Sequence, residues 1–176
     1  SLFLRILLAG LVLFNTSYAQ EPFYHQITTK EGLPSNCVYE VRQDHEGFIW
    51  VATDNGVARF DGAHFQYFTK DNGLTDNDVF MVRPDKKGRV WFLPSNGEPC
   101  FWKDGKIYNP VNTPFLAKLI AETWYNAFGE DAKGNIWFAS YRNEIVKLDN
   151  TNNVVKYKTD VGNEGQHVFS DVLVDK

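Results

Sequence analysis

Sulfur is scarce in this chain: 176 residues carry two cysteines, Cys37 and Cys100, and one methionine. Two cysteines allow a single bridge at most, which is no disulfide framework. Basic runs are missing too. The formal net charge is −4, so neither nucleic acid nor an anionic membrane surface finds an electrostatic footing. No segment approaches the roughly 20 apolar residues that span a bilayer as a helix. His25, His45, His64 and His167 form no H-E-x-x-H pair, which argues against a zinc site. The run at 149–153 (DNTNN) lacks the glycine and closing glutamate of a calcium loop and reads as a turn. Pro34-Ser35-Asn36 lacks the glycines of a nucleophile elbow, and no glycine-rich phosphate cradle occurs. No cofactor and no catalysis are expected in this segment.

The first residues have their own character. Arg5 precedes the apolar stretch 6–14, and Ser17-Tyr18-Ala19 follows. This is the pattern of a secretory leader, 1–19, with cleavage after Ala19. Losing Arg5 makes the remainder, 20–176, one unit more negative.

What the chain has in plenty is repetition. DHEGFIW stands at 44–50, DKKGRVW at 85–91 and DAKGNIW at 131–137. Asp44, Asp85 and Asp131 are 41 and 46 residues apart, and Asp175 lies 44 further on. Periods of 40–50 residues mark propellers or solenoids. Within a unit every local signal is β. Residues 38–42 (VYEVR) read as a period-2 strand, Asp44 to Gly47 as a turn, and 48–52 as a short apolar strand. Asn55-Gly56 suits a hairpin, and Asp61-Gly62 turns the chain into a fourth strand. Four strands in about 40 residues make one blade of a β-propeller. Asp and Gly then shape the first turn, and Trp anchors the second strand between neighbouring blades. Cys37 and Cys100 fall on different strands of different units. They read as two small apolar fillers rather than as a bond.

The expected architecture is therefore all-β: four-stranded antiparallel blades forming the N-terminal fragment of a seven-bladed ring. Residues 22–36 supply a closing outer strand and lead-in, 37–70 blade 1, and 71–111 blade 2. Residues 112–122 are an inserted loop with at most one helical turn, 123–160 blade 3, and 161–176 the start of blade 4. The orphan strand at 23–29 would complete a last blade beyond Lys176, removing an open edge. Residues 20–176 alone are expected to fold poorly, because repeat arrays need covered ends.

The stretch GLPSNCVYEVRQDHEGFIWVATDNGVARFDGAHFQYFT resembles the two-component regulator propeller repeat of extracytoplasmic bacterial sensors. Later units depart from it: Leu93-Pro94-Ser95-Asn96-Gly97 replaces T-D-N-G, and Tyr141-Arg142-Asn143 lacks the glycine. The resemblance implies a periplasmic ligand-sensing propeller of an inner-membrane sensor histidine kinase. A β-sandwich module, a spanning helix and a cytoplasmic kinase would follow, and the whole would form a homodimer. Some members of the family respond to glycan fragments. The alternative is a free-standing secreted propeller that binds or cleaves a glycan, as a lyase or glycosidase. Against a sialidase, the Asp-to-Gly spacing is three rather than two. Arg42, Arg59, Arg83, Arg89 and Arg142 are also scattered rather than clustered for a carboxylate.

Propeller topology brings the lead-in to each innermost strand and the turn between the second and third strands to one face. Asn36, Asp54, Asn55, Asn77, Asn96 and Arg142 fall there. Polar groups ringing a funnel suit a hydroxylated ligand such as a saccharide. The same residue types also serve as ordinary turn formers.

Overall fold

The computed structural model describes residue 24, residues 26–142 and residues 144–158. The leader at 1–19, the start of a fourth blade at 161–176, and His25, Asn143 and His167 lie outside the described residues. Those described form three four-stranded antiparallel sheets. Blade 1 comprises β1 (Val38–Gln43), β2 (Ile49–Thr53), β3 (Gly56–Phe60) and β4 (Phe65–Phe68). Blade 2 comprises β5 (Val79–Pro84), β6 (Val90–Pro94), β7 (Cys100–Lys103) and β8 (Lys106–Tyr108). Blade 3 comprises β9 (Tyr125–Glu130), β10 (Ile136–Ser140), β11 (Glu144–Leu148) and β12 (Val154–Lys158). Each strand pairs with the next in sequence, a meander in every blade.

The repeated heptad builds a hydrogen-bonded knot. Asp44 Oδ1 accepts from the amides of Glu46 and Phe48, both at 3.0 Å, and its Oδ2 accepts from the Trp50 indole N–H at 2.6 Å. Asp85 binds the amides of Lys87 and Arg89 and the Trp91 indole (2.8 Å) in the same way. Asp131 does so with Lys133, Asn135 and Trp137 (3.0 Å). One carboxylate thus fixes both the turn and the rotamer of the Trp six residues on. The spacing is invariant because the knot is a closed ring of bonds.

Apolar residues of adjacent blades meet in two layers. Between blades 1 and 2, Trp50 and Val57 pack with Val79, Val82, Phe92 and Trp102. Between blades 2 and 3, Trp91, Leu93 and Phe101 pack with Tyr125, Ile136 and Phe138. In β6 the even positions face blade 1 and the odd ones blade 3. The strand is buried throughout because both its faces are covered. Trp50 lies 5.6 Å from Phe92 and 5.3 Å from Trp102, whereas Trp91 reaches Phe138 at 5.4 Å. Each motif Trp therefore serves the following blade. Trp137, by contrast, is only half-buried and stacks on Tyr157 of its own sheet at 6.1 Å, since no described sheet covers its side of blade 3.

Two sequence expectations are corrected, those on Cys37 and on the period of 38–42. The closing strand expected at 23–29 would pair with a blade beyond Lys176, so the described residues do not test it. In the lead-in that follows, the amides of Glu31, Gly32 and Leu33 bond to the Thr28 carbonyl in a local turn. Cys37 is exposed at the lead-in to β1, so only Cys100 is an apolar filler; both thiols are free. The period-2 reading of 38–42 also fails. Val38 and Val41, three apart, line the same apolar recess on blade 1, because the β1–β2 register shifts between Val38 and Glu40. The inserted loop contains a 3-10 turn, Leu116–Leu119, whose two leucines are fully buried against blade 3. The Tyr125 hydroxyl donates to the Leu119 carbonyl and ties that loop to β9.

Candidate functional site: the funnel face

The lead-in segments and the turns between second and third strands do converge at one end of the blades. Asn55 Nδ2 donates to the Pro34 carbonyl at 3.2 Å, and Asn96 Nδ2 to the Thr75 carbonyl at 3.2 Å, bracing turn to lead-in within each blade. Asn36 Oδ1 accepts from the Thr29 amide (2.9 Å) and Asn77 Oδ1 from the Lys70 amide (2.8 Å), closing the loop before each innermost strand. Four of the six sequence candidates therefore hold the rim together. Asp54 and Arg142 are exposed at turn tips.

Blades are stitched to each other at the same level. The Gly56 amide donates to the Asn77 carbonyl at 2.6 Å, and the Ala121 amide to the Gly97 carbonyl at 3.0 Å. Gly56 and Gly97 have φ of 106° and 74°, and a Cβ there would strike the Phe68 and Thr123 carbonyls respectively. Only glycine allows so close an approach.

Sequence reasoning missed what the innermost strands present. All three carry a register shift at the same place: Val38/Glu40 in β1, Val79/Met81 in β5, and the Tyr125–Ala127 step in β9 opposite Ala139/Ser140. The extra residues are Tyr39, Phe80 and Asn126. Bulges re-aim side chains and favour functional sites. The signal was legible as the three-residue spacing Val38…Val41 and Val79…Val82, which a regular strand cannot place on one face.

Two of the three bulge residues are aromatic, and they continue into a shelf. Tyr39 meets Phe80 edge to face at 5.2 Å, and Phe80 meets Trp124 likewise at 6.0 Å. Trp124 stacks on Tyr141 at 4.8 Å and 27°. The shelf crosses all three blades. Tyr39 is 43% exposed, and the others are partly so. Partial desolvation and the neighbouring Asp78 carboxylate push the Tyr39 phenol up to about 12. Asp78 Oδ1 is buried without a hydrogen-bond partner among the described residues. Deeper along the strands, Glu40 pairs with Arg42 at 2.8 Å and with Arg83, and accepts from the Val82 amide at 2.9 Å. The contacts with Arg83 and Val82 clamp blade 1 to blade 2. Among the described residues no group of three or more His, Cys, Asp or Glu side chains is placed to hold a metal. No described helix is long and apolar enough to cross a membrane.

Repeated four-stranded blades meeting along their innermost strands define a β-propeller region. Residues 32–55 match the two component regulator propeller family, so blade 1 carries that repeat. Among solved structures, the chain is similar to the extracellular domain assigned to a hybrid two component system of B. thetaiotaomicron. The TM-score is 0.63 at 21% identity, over 80% of this chain and 19% of that one. A streptogramin B lyase matches with a TM-score of 0.55 at 19% identity, over 73% of this chain and 43% of that one. A virginiamycin B lyase of Staphylococcus aureus, with quinupristin, matches with a TM-score of 0.57 at 14% identity, over 75% and 44%. The chain thus spans less than half the length of each, and the likeness is one of fold. No curated protein sequence matches it.

Proposed function

We propose that this chain is the ligand-sensing region of a two-component sensor histidine kinase, held at the inner membrane with the propeller in the periplasm. The observation that carries this reading is the two component regulator propeller repeat at 32–55, on blades of the kind found in the extracellular domain of a two component system. The physical design suits the role. Inter-blade layers are apolar and closely packed, while the turns and lead-ins at one end are polar. In this reading a leader exports the region, further blades of the same chain close the ring, and a homodimer conveys the signal. The ligand is a saccharide at the rim formed by Asn36, Asp54, Asn55, Asn77, Asn96 and Arg142. A ligand shifts such a switch only by binding one conformation better than the other. The test is autophosphorylation of the full-length protein in membrane vesicles supplied with labelled ATP. Incorporation of label at histidine supports the reading; a full-length protein that takes up none overturns it.

A further inference from the structure

On the reading that further blades of the same chain close the ring, we infer that the apolar recess on the open face of blade 1 receives a tryptophan indole. Its source is a three-stranded sheet later in the chain, with Ile27 at that sheet's outer side. Val38, Val41, Ile49, Val51, Phe60 and Phe65 line the recess. By strand register they are the counterparts of Val79, Val82, Val90, Phe92, Trp102 and Ile107, the half of the first layer that blade 2 supplies. The half that blade 1 supplies there is led by Trp50, with Ala52 and Val57 beside it. Blade 3 receives Trp91 on the same pattern, through Tyr125, Phe128, Ile136, Phe138 and Leu148. Blades 2 and 3 thus each hold one indole on a face of this make, and blade 1 carries the same face. The recess measures about 250 Å³. An apolar cavity of about 150 Å³ takes benzene, so a two-ring group is of the right size. No charged side chain lines it.

Residues 27–36 say which sheet supplies the indole. The Thr29 amide donates to Asn36 Oδ1 at 2.9 Å, and 41 residues on the Lys70 amide donates to Asn77 Oδ1 at 2.8 Å. The Leu33 amide reaches the Thr28 carbonyl at 3.0 Å, as the Leu74 amide reaches that of Thr69 at 3.1 Å. One kind of loop therefore leads into β1 and β5 alike. Before blade 2 that loop is entered by Phe68, which ends β4 and stacks on Trp50 at 5.6 Å. Before blade 1 it is entered by Ile27, which lines the recess together with Leu33, the counterpart of buried Leu74. Ile27 thus holds the place of an outer strand's last residue, and the sheet it borders lacks only that strand. The Trp137 side of a second copy does not fit. Blade 3 already carries β12 in the outer position, where Ile27 would collide with it. A sheet of three strands from the same chain leaves that position free. Its anchor is the carboxylate-fixed indole that both complete layers use.

The experiment has two arms, both on the full-length protein. In the first, Phe60→benzoylphenylalanine puts a photo-cross-linker where blade 2 accommodates the larger Trp102. The expected product is a cross-link within one polypeptide, mapped by mass spectrometry to a D-x-x-G-x-x-W sheet beyond Lys176. A cross-linked dimer, a cross-link to a segment without that heptad, or none in a folded protein overturns the inference. In the second arm Val41→Thr keeps the β-branched shape and adds a hydroxyl. Val41 is 48% exposed among the described residues, whereas its counterpart Val82 is fully buried. A hydroxyl costs stability only where it is shut away from water. If the recess is filled, Val41→Thr should lower the urea midpoint of the propeller region about as far as Val82→Thr does. An unchanged midpoint leaves the recess open and overturns the inference, whatever becomes of the Phe60 variant. A protein that gives both expected results but takes up no label at histidine keeps this inference and loses the sensor role; one that labels but gives neither does the reverse.

Discussion

Truncating Trp50 to alanine tests the structural argument most directly. Its side chain is fully buried between blades 1 and 2. A Trp removes about 150–250 Å² from water, which at about 25 cal/mol per Å² comes to roughly 5 kcal/mol. A compact unfolded chain already hides some of that area, so about 3–4.5 kcal/mol survives. Lost contacts with Phe68, Phe92 and Trp102, at 5.6, 5.6 and 5.3 Å, push the cost up. So does the Asp44 Oδ2 left without its indole donor. Partial collapse of the cavity pulls the cost down. The expected destabilisation is about 3–5 kcal/mol, as for other large buried aromatics. Trp50→Phe keeps most of the packing and loses the N–H, so it should cost about 1 kcal/mol, since Asp44 is partly open to water. The assay is urea unfolding of the full-length propeller region, followed by fluorescence and circular dichroism together. A Trp50→Ala loss below about 1 kcal/mol would refute the inter-blade role, because surface substitutions stay within about that range.

Other expectations follow from single residues. Burial opposes ionisation of Asp131, yet hydrogen bonds from Asn135, Trp137 and the turn amides outweigh it and hold its pKa at about 2. Its contribution to stability should therefore be complete above the unfolded value of about 3.9 and be lost as the pH falls toward 2; a carboxyl resonance titrating near 4 in the folded protein would contradict this. Burial pushes the Cys100 thiol up to about 11, whereas Cys37 is exposed. Native protein should react with iodoacetamide at Cys37 alone, and mass spectrometry finding Cys100 alkylated without denaturant would count against the packing. Gly97→Ala meets both a left-handed φ of 74° and the Thr123 carbonyl 2.5 Å from the new Cβ. It should cost about 2 kcal/mol or more in thermal unfolding; an unchanged Tm would show that the blade 2–3 stitch is dispensable.

Much of the molecule was decided by local chemistry and so could be read along the chain. The D-x-x-G-x-x-W heptads announce blades because every bond of the knot is made within seven residues. Asn55-Gly56 marks its hairpin for the same reason: the left-handed conformation is a property of the residue. The family resemblance rests on these local signals, and the match at 32–55 falls on them. The tertiary structure alone decided what crosses between blades. Trp50 and Trp91 share a motif with Trp137, yet only the first two are fully buried, because burial depends on whether another sheet stands opposite. Four rim asparagines look like ligand donors in sequence, and the fold shows their amides engaged by loops up to 21 residues away. In the shelf, Tyr39, Phe80 and Trp124 lie 41 and 44 residues apart in sequence, and Tyr39 and Phe80 sit at bulges that shift a register by one. A single extra residue reverses which face a side chain takes, and that reversal exists only once two strands are paired.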